Sequence, residues 1–379
     1  MRILMVNPNP RPAAALEMLL KAEGPKGDGE FIWSPHESPL VREIIERFTK
    51  KGLSMLGNVK DALMRWQNKH DKADAVFMPP TPAIGNMTRW TEEEKELVRI
   101  YLEALPKAAW ELGDHMLAVE LVVQTYLPED ELLTQADWLA TKATLMGKVQ
   151  NNLKKKPTLD EANKILDGLP ESSYQTVYTP LSPKERTTMD FAVARAAENV
   201  VNLAENTRQQ MRGLVARHVE KQVNGDVSGP SLQSELFDTF ATLNRDWRRI
   251  AVTEAGEAQL QGMIAGCKPG DKVKRIEQYP SACKFCKKIH GTIATVVEAS
   301  HPNKDPDTMI WPGKNNIGRS MAPRKRIGGQ LVKRTPEEMY WLPAGLAHPH
   351  CRGRWVPVVD AGDVQDPEFA AILQEFLQS

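Results

Sequence analysis

The sequence predicts a mainly α-helical chain that passes, through a long helical hairpin, into a small β-rich α+β module at its C-terminal end. Three observations carry this. Apolar residues recur at three and four positions over most of 40–264, the spacing of one helix face. That stripe disappears after Ala265, where Gly and Pro become dense and the apolar pieces shrink to strand length. Three of the four cysteines then fall in two clusters, Cys283-Lys284-Phe285-Cys286 and His348-Pro349-His350-Cys351. A C-x-x-C turn and an H-x-x-C turn together offer three sulfurs and one ring nitrogen, a tetrahedral set that suits zinc. With Cys283, Cys286, His348 and Cys351 as ligands no coordination position stays open. The metal would be structural and would clamp the module.

Two other readings of the clusters stand beside that one: a redox pair, and thiols that bind no metal. A thioredoxin-type C-x-x-C needs a strand before it and a helix after it. Here the flanks Gln278-Tyr279-Pro280-Ser281 and Lys287-Lys288-Ile289-His290-Gly291 read as turns. His290, His301 and His350 are competing ligands. His350 is adjacent to Cys351 and sterically awkward beside it, which favours His348.

The helices follow from the N-terminal side. Residues 1–38 form an irregular arm rich in Pro, Gly and Asn, with a short strand expected at 3–6. A helical domain covers 39–169. Its first helix runs over 40–70 with a break near Gly52. After a loop at 78–87, Thr91-Glu92-Glu93-Glu94 makes a capping box for a helix reaching 127, bent at Pro106. Further helices span 128–154 and, capped by Thr158, a short stretch after it. Residues 170–181 read as a linker.

Ser182-Pro183-Lys184-Glu185 is the clearest helix start: an N-cap, Pro at the first position, and Glu three after the cap. It opens the helical hairpin at 182–266. The first arm is a helix of about 40 residues, about 60 Å long; two shorter helices follow, over 230–243 and 247–264. The module covers 267–360, with strands expected at 272–279, 291–297 and 354–359 and a long loop at 301–336. An amphipathic helix at 361–379 either docks on the chain itself or anchors a partner.

Composition limits the function. The 49 basic and 49 acidic residues balance, which argues against a chain wholly dedicated to nucleic acid but leaves room for a local patch. The long loop carries such a patch: Lys304, Lys314, Arg319, Arg324, Lys325, Arg326, Lys333 and Arg334 against Asp305 and Asp307. These are candidate contacts for phosphate or an acidic partner, weighed against a merely solvated loop. Four cysteines with metal-like spacing fit a reducing compartment. The apolar start is broken at Asn7-Pro8, too soon for a signal peptide, and no apolar run approaches the ~20 residues of a membrane span. A soluble cytoplasmic product with no membrane partner is expected.

The order of these pieces resembles the Mu F-type minor head protein family of tailed phages, the head morphogenesis family. The likeness covers about 183–359. It rests on the helical hairpin, Thr253-Glu254 on a helix, Cys283-x-x-Cys286 followed by Gly291, and His348-Pro349-His350-Cys351-Arg352 before a strand. Where the family carries a closing cysteine this chain has Gly353, and Val252 replaces the Arg often found before Thr-Glu. The resemblance implies a non-enzymatic minor capsid component of the virion, present in few copies and made in the host cytoplasm. It implies association with the portal protein, with the major capsid protein and phage DNA as further candidate partners, and a role in head assembly or genome delivery.

The chain shows no G-x-S-x-G, phosphate-binding loop or H-E-x-x-H pattern. An ion pair with Arg248 or Arg249 accounts for Glu254 without catalysis. The rival reading is a metal-dependent nuclease of the His-Asn-His kind, using His348, His350, Asn315 and Asn316, or a DNA-binding protein acting through 304–334.

Overall fold

The computed structural model describes residues 39–69, 80–82, 89–153, 157–226, 228–277, 279, 282–358 and 366–378. The arm expected at 1–38 and its strand lie outside these residues, as does most of the loop at 78–87. Within them the chain is mainly helical with a small C-terminal β region.

Helix α1 (Pro39–Gln67) buries Leu40, Ile44, Phe48, Leu56, Val59 and Leu63 along one face. The break expected at Gly52 does not occur. The Trp247 indole fills the space a side chain at Gly52 would take, stacks on Phe48 at 5.1 Å and donates Nε1–H to Phe48 O at 3.3 Å. Pro106, by contrast, ends a helix where a bend was expected. Helix α2 (Glu92–Ala104) stops, a 3-10 turn (Lys107–Ala109) follows, and α3 (Leu112–Tyr126) starts afresh. A proline lacks the N–H that would continue the ladder. Thr91 and Glu94 form the expected capping box on α2. Val98, Leu102, Leu105, Trp110 and Leu117 close a small core between α2 and α3.

Helix α4 (Glu129–Asn152) is the centre of the body, buried on nearly every side from Ala136 to Val149. Thr158 caps α5 (Leu159–Gly168) as expected. The linker at 170–181 forms a 3-10 turn (Ser173–Tyr178). Ser182 caps α6 (Pro183–Val223), a helix of 41 residues. Helix α7 (Leu232–Gly266) is one helix of 35 residues where two were expected. The stretch between the two expected pieces holds no Gly or Pro, so nothing interrupts the ladder.

Helices on both sides of the 170–181 linker contribute to one apolar core, with Phe48, Val122, Met146, Ile165, Met211 and Trp247 among its members. The expected division between 39–169 and 182–266 therefore does not separate two cores. Helices α4 and α7 cross at Gly147 and Gly262. A Cβ on Gly147 would collide with the Gln259 carbonyl oxygen, and one on Gly262 with the Thr144 carbonyl oxygen.

The last turns of α7 leave the body and enter a second core. Leu260, Met263 and Ile264 pack with Val273, Ala294, Ile310, Leu346 and Trp355. Strand β1 (Lys272–Ile276), a short helix α8 (Lys284–Ile289), β2 (Ile293–Val296) and β3 (Met309–Ile310) follow. The 301–336 stretch, expected as a loop, also holds a separate hairpin of β4 (Arg324–Ile327) and β5 (Gln330–Lys333). Its turn is Gly328-Gly329, with φ of 54° and 85°, the two positive values that a two-residue hairpin turn needs. Strand β6 (Arg354–Pro357) completes a four-stranded sheet of order β3-β2-β1-β6, in which β1 is antiparallel to both neighbours and β2–β3 are parallel.

The terminal helix α9 (Pro367–Gln378) docks on the body. Phe369 and Leu373 are fully buried, and the Phe376 ring lies against Gly168. No helix among the described residues is long and apolar enough to cross a membrane.

Candidate metal centre

The C-x-x-C arm is shaped by a helix start. Cys283 caps α8, its Sγ accepting the Cys286 N–H at 3.4 Å. The first helical turn then brings Cys286 round to the same side. The second arm is the turn closed by Cys351 N–H donating to His348 O at 3.0 Å, with His350 in the left-handed region at φ 61°. His348 Nδ1 donates to Pro349 O at 2.8 Å, which leaves the Nε2 lone pair for a ligand. Nε2 lies 3.4 Å from Cys283 Sγ and 3.2 Å from Cys286 Sγ, and Cys286 Sγ lies 3.9 Å from Cys351 Sγ. Donors around one tetrahedral ion stand roughly 3.4–3.8 Å apart, so these separations suit the edges of such a site. Three of the four expected ligands, Cys283, Cys286 and His348, form a trio that could hold a metal ion, and Cys351 adjoins it through Cys286.

Sulfurs and ring sit in contrasting electrostatic settings. Burial opposes ionisation of Cys283, but the N–H groups of the α8 start and the His348 ring outweigh it and lower its pKa. Burial pushes the Cys351 thiol well up, against the pull of Arg275. Burial alone would depress His348; the Pro349 carbonyl and the surrounding sulfurs raise it instead.

Sequence reasoning missed two residues here. Glu277, Cys286 and Cys351 form a second trio that shares Cys286 with the first. Its cation position is already taken. Arg275, fully buried, bonds Glu277 Oε1 at 2.8 Å, Gly345 O at 2.9 Å and Cys351 Sγ at 3.8 Å. The Glu277 carboxylate also fills the space that a side chain at Gly353 would need. The available signal was the alternation of Arg275 and Glu277 at the edge of a strand, which puts two opposite charges on one face. The rival histidines do other work: His290 Nδ1 accepts the Glu277 N–H at 3.0 Å, while His301 and His350 belong to neither trio.

A polar stripe on α7 holds the second arm in place. Thr253, Glu257 and Gln261 recur every four residues and so share a face. Thr253 Oγ1 accepts the His350 N–H at 3.3 Å, Glu257 Oε2 the Leu346 N–H at 2.5 Å, and Gln261 Oε1 the Gly313 N–H at 2.9 Å. The neighbouring Glu254 does not pair with Arg248 or Arg249 as expected. Its partner is Arg195 of α6, at 2.6 Å, with Asn199 Nδ2 at 3.2 Å. Burial raises the Glu254 pKa despite Arg195. A cleft of about 1370 Å³ opens between α6, α7 and the module, with Arg195, Glu254 and His348 on its walls.

The eight basic residues singled out in 304–334 do not form one surface. Lys314 is buried, its Nζ bonded to Pro306 O and Met309 O and lying over the Trp311 and Trp341 rings; burial lowers its pKa to about 8. Arg319 stacks on Trp341 at 3.7 Å, and Lys304 lies over Trp311 at 4.8 Å. Lys325 pairs with Glu338. Arg334 is half-buried at the hairpin base, and Arg324, Arg326 and Lys333 are exposed on the hairpin. Comparison of the chain with protein-family models, curated proteins and solved structures finds no match to any of them.

Proposed function

We propose that this chain is a minor head protein of a tailed phage, associated with the portal in few copies, and that its Cys/His cluster binds one structural zinc ion. One observation carries the reading. The long helix α6 leads to α7, and α7 runs directly into a β-rich module whose C-x-x-C and H-P-x-C arms converge. This is the arrangement that the motif order led us to expect. Three thiolates and an imidazole whose other nitrogen is tied to a carbonyl favour zinc over harder cations. Cys283, Cys286, His348 and Cys351 would hold it, and four protein donors leave no position for substrate.

The nuclease reading has less support. Asn316 donates Nδ2 to Ala347 O at 2.9 Å and accepts the Trp341 N–H at 3.1 Å. Asn315 accepts the Ile317 N–H at 3.0 Å. Both amides are engaged in shaping their own loop, and His348 faces the sulfurs.

Quantitative mass spectrometry of particles and empty heads from the source phage tests the proposal. A few copies per particle in both are expected. Protein found only free in the lysate would remove the structural role.

A further inference from the structure

We propose that one face of the β4–β5 hairpin is a phosphate-contacting surface for double-stranded DNA. In an antiparallel pair, cross-strand partners share a face. Arg324 stands opposite Lys333, and Arg326 opposite Leu331, so these four form one face. Lys325, Val332, Ile327 and Gln330 form the other, on which Lys325 is neutralised by Glu338.

The first face is therefore cationic without compensation. Among the described residues no carboxylate pairs with Arg324, Arg326 or Lys333. Placing two like charges directly opposite each other destabilises a hairpin. A two-stranded ribbon that bears this cost without an acidic partner suits a polyanion that supplies the missing charge.

The shape selects among polyanions. The ribbon is exposed on both strands apart from half-buried Lys325; the Arg334 N–H to Pro323 O bond closes its base, and it meets the rest of the module through the Ser320–Met339 bridge and the Lys325–Glu338 pair. Two strands about 4.8 Å apart, with their side chains, match the roughly 12 Å major groove of B-form DNA. The deep, narrow major groove of an A-form duplex does not admit them. Arg324 and Arg326 stand about 6.8 Å apart along the strand, so both can reach phosphates of one backbone.

The inference is independent of the metal and of the head-protein reading, because it needs only the hairpin. The test is fluorescence anisotropy of the full chain with a labelled 24-base-pair DNA duplex of mixed sequence, over a salt series. We expect binding that weakens steeply with salt. The triple variant Arg324→Ala, Arg326→Ala, Lys333→Ala should flatten the log–log salt slope by roughly 2–3, about 0.9 per lost phosphate contact. Its melting temperature should stay at or above that of the parent, and Lys325→Ala should leave the slope unchanged. Three outcomes would each overturn the proposal: an unchanged slope in the triple variant, no DNA binding by the parent chain in low salt, or equal binding of an RNA duplex or of polyglutamate.

Discussion

The sulfur atoms of Cys286 and Cys351 lie 3.9 Å apart although 65 positions separate them in the chain. Cys286 Sγ also lies 3.2 Å from His348 Nε2, so an ion bound there would join donors that are remote in sequence. We expect metal analysis of the purified protein to find about one zinc ion per chain. Cys286→Ser and His348→Ala should each abolish it. Chelation should melt the module, read from the fluorescence of buried Trp355, while most helical signal persists. A module that keeps its full melting temperature after exhaustive chelation would falsify the zinc assignment.

The crossing of α4 and α7 admits no side chain. Gly147→Ala and Gly262→Ala each drive a methyl group into a backbone carbonyl of the opposite helix. Overpacking of this kind costs about 1–3 kcal/mol, and more where backbone must move. Each variant should show a lower denaturation midpoint, whereas Gly57→Ala, which meets nothing, should not. Equal midpoints for all three would mean that the helices separate easily.

Removing the last helix should destabilise the body. Lys148 is buried and pairs with Asp366 at 2.8 Å and Glu185 at 3.1 Å, with its ammonium 4.7 Å from the centre of the Phe369 ring. Phe369→Ala is expected to cost about 3–5 kcal/mol, and deletion of 366–378 at least as much. Thermal denaturation of both proteins measures this. Truncation without effect would return α9 to the role of a partner anchor.

Acid should loosen the α2–α3 corner through one histidine. Burial, with Lys107 nearby, lowers the pKa of His115 to about 4 from 6.5. Its ring sits edge-on to Trp110 at 5.2 Å, with Nδ1 3.0 Å from Gln67 Oε1. The unfolded chain binds the proton first as pH falls, so stability is whole above about 6.5 and drains away towards pH 4. Urea titrations across that window should show a loss that His115→Gln reduces. Identical pH profiles would mean that the ring is not shielded in solution.

What the sequence revealed was local. Ser182, Thr158 and Thr91 mark helix starts because a cap and its glutamate lie within four residues. The Cys283-x-x-Cys286 and His348-x-x-Cys351 arms were legible because each is short and self-contained. The hairpin at 324–333 was missed although Gly328-Gly329 announced it, since its strands are charged and do not alternate. The alternation of Arg275 and Glu277 puts them on one face but does not say what that face meets; Glu277 reaches the cluster because Gly353 has no side chain in its way. The partner of Glu254 was misplaced for a similar reason: Arg195 is remote in sequence and close only once α6 and α7 pack.

Helix α7 belongs to both cores, with Trp247 locked in one and Ile264 in the other. Its 35 residues make a rod of about 50 Å without an internal joint. A pull on the end that carries the Cys/His cluster would therefore reach Phe48 and α1 with little damping. Whatever grips the module can move the whole body as a handle moves a blade.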